Sequence, residues 1–113
     1  MNQVRLNAYH IMWLFVFFDL PTNIKEERKE ANKFRKNLLI DGFHMMQYSV
    51  YNRHCASKEN ADVHIRRVKS VLPPDGLVSI MNITDKQYGK IINFWGMKKA
   101  PPKKQKTDQL VLF

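Results

Sequence analysis

Residues 11–18, Ile-Met-Trp-Leu-Phe-Val-Phe-Phe, form an unbroken apolar run that stops at Asp19-Leu20-Pro21, after which the chain turns strongly helical. An aromatic and β-branched run of this length fits a strand buried on both faces, and Pro21 with Thr22 and Asn23 ends it. Asp19 then sits at the strand's carboxyl end, where a carboxylate can reach solvent and a metal while the strand fixes its position. Inside the run an unpaired charge would cost several kcal/mol. The plain alternative is a turn-forming Asp that caps the next helix.

The 113 residues suffice for one domain with a modest core and leave no room for a second. With 44% hydrophobic and 26% charged residues the chain reads as globular rather than disordered. Its net charge of +9 calls for an anionic partner, nucleic acid before an acidic membrane surface. No stretch reaches the roughly 18 apolar residues of a spanning helix, and no signal-peptide pattern surrounds the apolar run. Cys55 is the only cysteine, which excludes an intrachain disulfide and a multi-thiolate metal site within one protomer. That usage points to a reducing compartment, the cytoplasm.

Lys98, Lys99, Lys103, Lys104 and Lys106 lie in a tract with Pro101 and Pro102, and only Asp108 opposes them. The tract reads as an extended linker, dividing the chain into a domain at 1–96 and a basic tail at 97–113. The body still carries fourteen basic against nine acidic residues, so the tail alone does not account for the basicity.

A helix is expected from Asn23, with Glu26 near the N3 position, to Asp41-Gly42. Ile24, Ala31, Phe34, Leu38 and Leu39 form its apolar stripe. Its other face mixes Lys25, Lys29, Lys33 and Lys36 with Glu26, Glu27 and Glu30, the pattern of a solvated surface. Residues 43–53 alternate as one long strand or two short ones broken near Gln47. A second helix starts at Ser57 or Asn60 and runs to Leu72, with Ala61, Ile65, Val68 and Leu72 as its stripe. Arg66, Arg67 and Lys69 point away from that stripe with no acid following within the helix, a credible phosphate-contacting surface. Residues 77–84 read as a strand. Thr84-Asp85-Lys86-Gln87 reads as a capping box, and residues 91–95 as helix or edge strand.

This order is that of a ferredoxin-like α+β sandwich, βαββαβ, with helices on one face of an antiparallel sheet and an extra C-terminal edge strand. The other sheet face, rich in large apolar side chains, cannot stay wet, and dimerisation through it is the simplest remedy. Catalytic signals are sparse. No second acid accompanies Asp19 on its strand, His10 precedes the run, and His44, His54 and His64 lie in contexts that suggest surface or packing roles. Ser49 lacks nucleophile-elbow glycines, and no RNA-reading RNP1 string is present.

Phe-Phe-Asp-Leu-Pro at 17–21, the helix from Glu26-Glu27-Arg28 to Phe34-Arg35-Lys36, Gly42-Phe43 with Gln47-Tyr48-Ser49-Val50-Tyr51, and Thr84-x-Lys86-Gln87-Tyr88 together resemble the CRISPR-associated protein two family, in its type II subgroup. The resemblance runs from about residue 9 to Gly96. It implies a homodimer at the centre of the spacer-acquisition complex, bridging dimers of the locus's integrase and holding incoming double-stranded DNA, with the type II effector nuclease as a further partner. It also implies a metal-dependent endonuclease assignment, in which Asp19 of each protomer faces a shared Mg²⁺ across the two-fold axis. The scaffold role ranks above catalysis. Arg53, Arg66 and Arg67, with Lys25 and Arg28 as weaker candidates, are expected to follow the duplex phosphates. Gln109, Leu110, Val111, Leu112 and Phe113 are read as a docking strand that augments a sheet edge of the integrase or the other protomer, with a sliding-clamp motif as the competing account.

Overall fold

A computed structural model describes residues 11–101. The apolar run becomes β1 (Met12–Asp19), followed by α1 (Lys25–Ile40), β2 (His44–Gln47), β3 (Val50–Cys55), α2 (Lys58–Ser70), β4 (Leu77–Thr84), the single turn α3 (Asp85–Tyr88), and two short strands, β5 (Phe94–Trp95) and β6 (Lys98–Lys99). The main sheet has the order β2-β3-β1-β4, with β1 antiparallel to both β3 and β4. This is the expected ferredoxin-like arrangement.

Alternation along β1 divides its side chains between two environments. Met12, Leu14, Val16 and Phe18 share the core with Phe34 and Leu38 of α1, Ala61 and Val68 of α2, and Phe43, Tyr51 and Cys55. Each fully buried aliphatic side chain there contributes about 1.5–3 kcal/mol. Trp13, Phe15, Phe17 and Asp19 take the opposite face. That face is not wholly free, because α3 folds across it. The Tyr88 ring stacks on Trp13 with centroids 3.8 Å apart, and Trp13 and Phe15 are buried. Phe17, Met81 and Leu77 of the same face remain exposed.

Local chemistry explains most boundaries. Helix α1 begins one residue later than expected, with Ile24 as N-cap, and Glu27 rather than Glu26 reaches back to accept from the N–H groups of Asn23 (2.9 Å) and Ile24 (3.1 Å). Ala31, Phe34 and Leu38 face the core, while Ile24 and Leu39 are exposed. Adjacent residues sit about 100° apart on a helix, so Leu38 and Leu39 cannot share one face. The Ser57 hydroxyl caps α2 by accepting from the Asn60 N–H. Leu72, expected within the helix, lies beyond its end and is exposed. Residues 43–53 contain two strands with a turn at Tyr48-Ser49, where Ser49 has φ of +65°. Thr84 and Gln87 make the expected reciprocal cap of α3.

The C-terminal expectation needs correction. Strand β5 pairs with β6 and not with the main sheet, so the extra edge strand is a separate hairpin that straddles the boundary drawn at residue 96. The short turn at Gly96-Met97 lets the chain close on itself before β5 can reach an edge of the main sheet. Gln109 to Phe113 and His10 lie outside the described residues. Among the described residues no helix is long and apolar enough to cross a membrane.

Candidate nucleic-acid interface and metal ligand

Asp19 is exposed at the last position of β1, opposite Leu77. The segments leading into both neighbouring strands fix it there. On one side the Phe18 N–H donates to the Ser49 carbonyl at 3.1 Å. On the other, Gly76 (φ +101°) packs so closely that a Cβ would lie 2.8 Å from the Asp19 carbonyl oxygen and 2.7 Å from Leu20 Cδ2. Only glycine fits this backbone and this gap. The carboxylate is thus a placed group on a rigid element.

Among the described residues no cluster of three or more His, Cys, Asp or Glu side chains could hold a metal ion. Around Asp19 the described residues of one protomer therefore offer at most two such side chains, too few for a near-octahedral Mg²⁺ shell without waters, phosphate oxygens or a second copy. On the helix side of the same end, a cleft bordered by Leu20, Pro21 and Pro74 is lined by Glu26, Glu27, Glu30 and Asp75. Those carboxylates make the helix side of this strand end acidic.

The basic candidates fall into three groups. Arg66, Arg67 and Lys69 are exposed on α2, though Arg67 Nη1 also donates to Asp41 Oδ1 at 3.0 Å. Lys25 and Arg28 are exposed at the start of α1, among glutamates, and Arg28 Nη1 donates to the carbonyls of Thr22 and Asn23. Arg53 departs from expectation: it points inward. It donates through Nε to the His54 carbonyl at 3.0 Å and through Nη1 to the Asp41 carbonyl, with His64 Nδ1 at 3.3 Å. The reason is positional, since Arg53 shares the helix-facing side of β3 with Tyr51 and Cys55 and finds its acceptors beneath α1 and α2. Asp41 organises that cluster, because its other oxygen lies 2.8 Å from Nδ1 of buried His64.

Two constellations escaped the sequence reading. Trp13, His54, Asp85 and Tyr88 meet on the sheet face opposite α1 and α2. Burial there pushes the His54 imidazole below its ordinary pKa, with Asp85 opposing and Arg53 adding to the shift. Burial likewise raises the Tyr88 phenol and, in the core, the Cys55 thiol. Second, Arg35 lies against the rings of Phe18 and Tyr48 beside the β2–β3 turn. An exposed aromatic at a turn was the only sequence signal for it.

Comparison with known proteins bears on the family and the fold. The family described as "CRISPR associated protein Cas2" matches residues 12–91. A protein named CRISPR-associated endoribonuclease Cas2 from Flavobacterium psychrophilum is 51% identical over 112 residues, covering 99% of this chain and 96% of the relative. Its namesake from Parvibaculum lavamentivorans is 53% identical over 102 residues, covering 90% of this chain and all of the relative. A solved structure titled "Crystal structure of cas2" shares the fold at a TM-score of 0.55 and 22% identity, covering 82% of this chain and 95% of that one. With the matched region spanning every element from β1 to α3 and half the residues shared with these relatives, the chain belongs to the Cas2 family of CRISPR-associated proteins.

Proposed function

We propose that this protein is a homodimeric subunit of the CRISPR spacer-acquisition assembly that holds incoming double-stranded DNA and bridges dimers of the locus's integrase. One observation carries the reading: the exposed apolar strip of Phe17, Met81 and Leu77 lies on the sheet face that also bears Asp19. Burying that strip against a second copy removes apolar surface from water and turns the two Asp19 carboxylates toward a common axis. The exposed arginines and lysine of α2 are then doubled, giving a symmetric basic surface that grips phosphates without reading bases.

A second reading, a metal-dependent endoribonuclease, is favoured by the solvent-facing position of Asp19 and by the names of the relatives. The residues fit Mg²⁺ only in pairs, one Asp19 from each protomer. A bound ion would supply charge to orient a scissile phosphate and lower the pKa of a water. Asp19 would anchor that site, Gly76 and Ser49 would hold its strand end in place, and the basic side chains would position the substrate backbone.

Sedimentation at micromolar concentration tests the dimer, which is expected at twice the chain mass; a monomer overturns the reading. Asp19→Ala separates the two roles. It is expected to abolish any Mg²⁺-dependent cleavage of RNA or DNA while duplex affinity stays within about twofold, as phosphate contacts elsewhere carry binding. Loss of duplex binding by a folded variant would show that Asp19 belongs to DNA capture instead.

A further inference from the structure

We propose that Tyr48, backed by Arg35, is a stacking platform for an unpaired base of a single-stranded nucleic acid passing the Asp19 end of the sheet. The inference rests on nucleic-acid binding by this chain but goes beyond the duplex reading, since bases stacked within a helix cannot reach such a ring.

Tyr48 is 75% exposed at the β2–β3 turn. It contributes little to the core, yet it is held. The Arg35 guanidinium carbon lies 5.0 Å from the centroid of the Tyr48 ring and 5.6 Å from that of Phe18. Arg35 Nη2 donates to the Tyr48 hydroxyl at 3.1 Å, and Nη1 donates to Asn32 Oδ1 at 3.3 Å. Its Nε is buried with no hydrogen-bond partner among the described residues. Bonded to Tyr48 and Asn32 and packed against Phe18, the guanidinium braces an exposed aromatic ring.

The braced ring keeps one side for a ligand. Because its oxygen accepts from Arg35, the Tyr48 hydroxyl proton is left to donate outward. Tyr carries few rotamers, and bracing removes most of what ordering would cost on binding. The position is functional too. Ser49, the next residue, accepts from the Phe18 N–H at 3.1 Å, and Phe18 precedes Asp19. A strand whose phosphate lies at Asp19 therefore has Tyr48 within reach around the same sheet end. Stacking on a tyrosine face is tolerant of base identity, as handling foreign sequence requires.

The test uses the full chain with short DNA and RNA oligonucleotides carrying 2-aminopurine, each single-stranded or paired. The wild type is expected to bind the single strands and quench the probe. Tyr48→Ala is expected to weaken single-strand affinity about tenfold and abolish quenching, with duplex affinity unchanged. Tyr48→Trp retains both, which shows that the ring is what matters. Arg35→Leu loses part of the affinity, and the double variant with Tyr48→Ala is no weaker than Tyr48→Ala alone, the mark of a positioning residue. Thermal melts establish that each variant folds. Unchanged single-strand affinity and quenching in folded Tyr48→Ala overturns the platform, as does an equal loss on duplex. A wild type that binds duplex but no single strand also overturns it and leaves the duplex reading standing. Binding neither overturns both.

Discussion

Trp13 Nε1 donates to Asp85 Oδ1 at 2.6 Å, joining the second residue of β1 with the first of α3 across 72 positions of sequence. The bond converts a short capped turn into a lid on the sheet face opposite α1 and α2: with Asp85 held, Tyr88 stacks over Trp13 and closes off Phe15. The Asp85 N–H also donates to the Ile11 carbonyl at 2.9 Å, so the contact is anchored through backbone as well.

Asp85→Ala therefore leaves the N–H of a buried indole without its acceptor, at a cost of about 1–3 kcal/mol. In a domain of this size each kcal/mol lowers the melting temperature by roughly 4–8 °C. Asp85→Asn keeps an oxygen acceptor and should cost less than half as much. Thermal denaturation followed by far-UV circular dichroism ranks the three proteins, and equal melting temperatures would show that the lid adds nothing to the fold.

His54 adds a pH dependence to the same cluster. Its ring meets Trp13 edge-on at 5.6 Å, and burial holds its folded pKa below the ordinary 6.5. The unfolded chain thus binds the proton first as pH falls. The group's contribution to stability is full above about pH 6.5, declines below that value, and stops declining below the depressed folded pKa. Urea midpoints between pH 8 and pH 5 should fall over that window, and His54→Gln should flatten the fall. A wild-type midpoint that rises on acidification, with a flat His54→Gln profile, would reverse the assigned sign.

Gly76 links backbone geometry to Asp19. Gly76→Ala forces a side chain into an unfavourable backbone region and against the Asp19 carbonyl, a penalty of about 1–3 kcal/mol for the conformation before the clash is added. Gly96→Ala is the matched control, because Gly96 also has positive φ (+59°) but nothing within 4 Å of its Cβ position. The expected result is a larger loss of stability at 76, accompanied by loss of Asp19-dependent cleavage wherever that activity is measured. Equal effects at both positions would mean that the close approach to β1 is easily relieved.

The sequence was legible where one local rule dominated. The apolar run, the helical stripe ending at Pro73-Pro74 and the Thr84 capping box were enough to place β1, α2 and α3, because each signal lies within a few residues of the structure it makes, whereas alternation over residues 43–53 marked strand without deciding between one strand and the observed β2–β3 pair. Asp19 was legible for the same reason, as the charge that ends a buried strand. What depended on distant partners was not legible. Nothing near Arg53 in sequence indicates that Asp41 and His64 would draw it inward, and nothing near Trp13 indicates Asp85. The tail hairpin was misplaced because an apolar pair such as Phe94-Trp95 carries no information about which edge it will meet.

Arg66 and Arg67 adjoin on α2 but differ in what they must give up to reach a phosphate. Arg66 is exposed, whereas Arg67 Nη1 is bonded to Asp41 Oδ1 even though its side chain is 61% exposed. In a two-fold dimer each replacement removes two phosphate contacts, so Arg66→Ala should flatten the slope of log affinity against log salt by about 1.8 on B-DNA. Arg67→Ala should flatten it less, because Asp41 competes with the phosphate for the same guanidinium. Asp41→Asn releases that competition and should strengthen duplex binding, provided His64 and Arg53 keep the loop in place; a thermal melt checks this. Since phosphate contacts carry no sequence information, unrelated duplexes should respond alike. Titrations at several salt concentrations decide the matter, and an unchanged slope in a folded Arg66/Arg67 double variant would move the DNA path off α2 altogether.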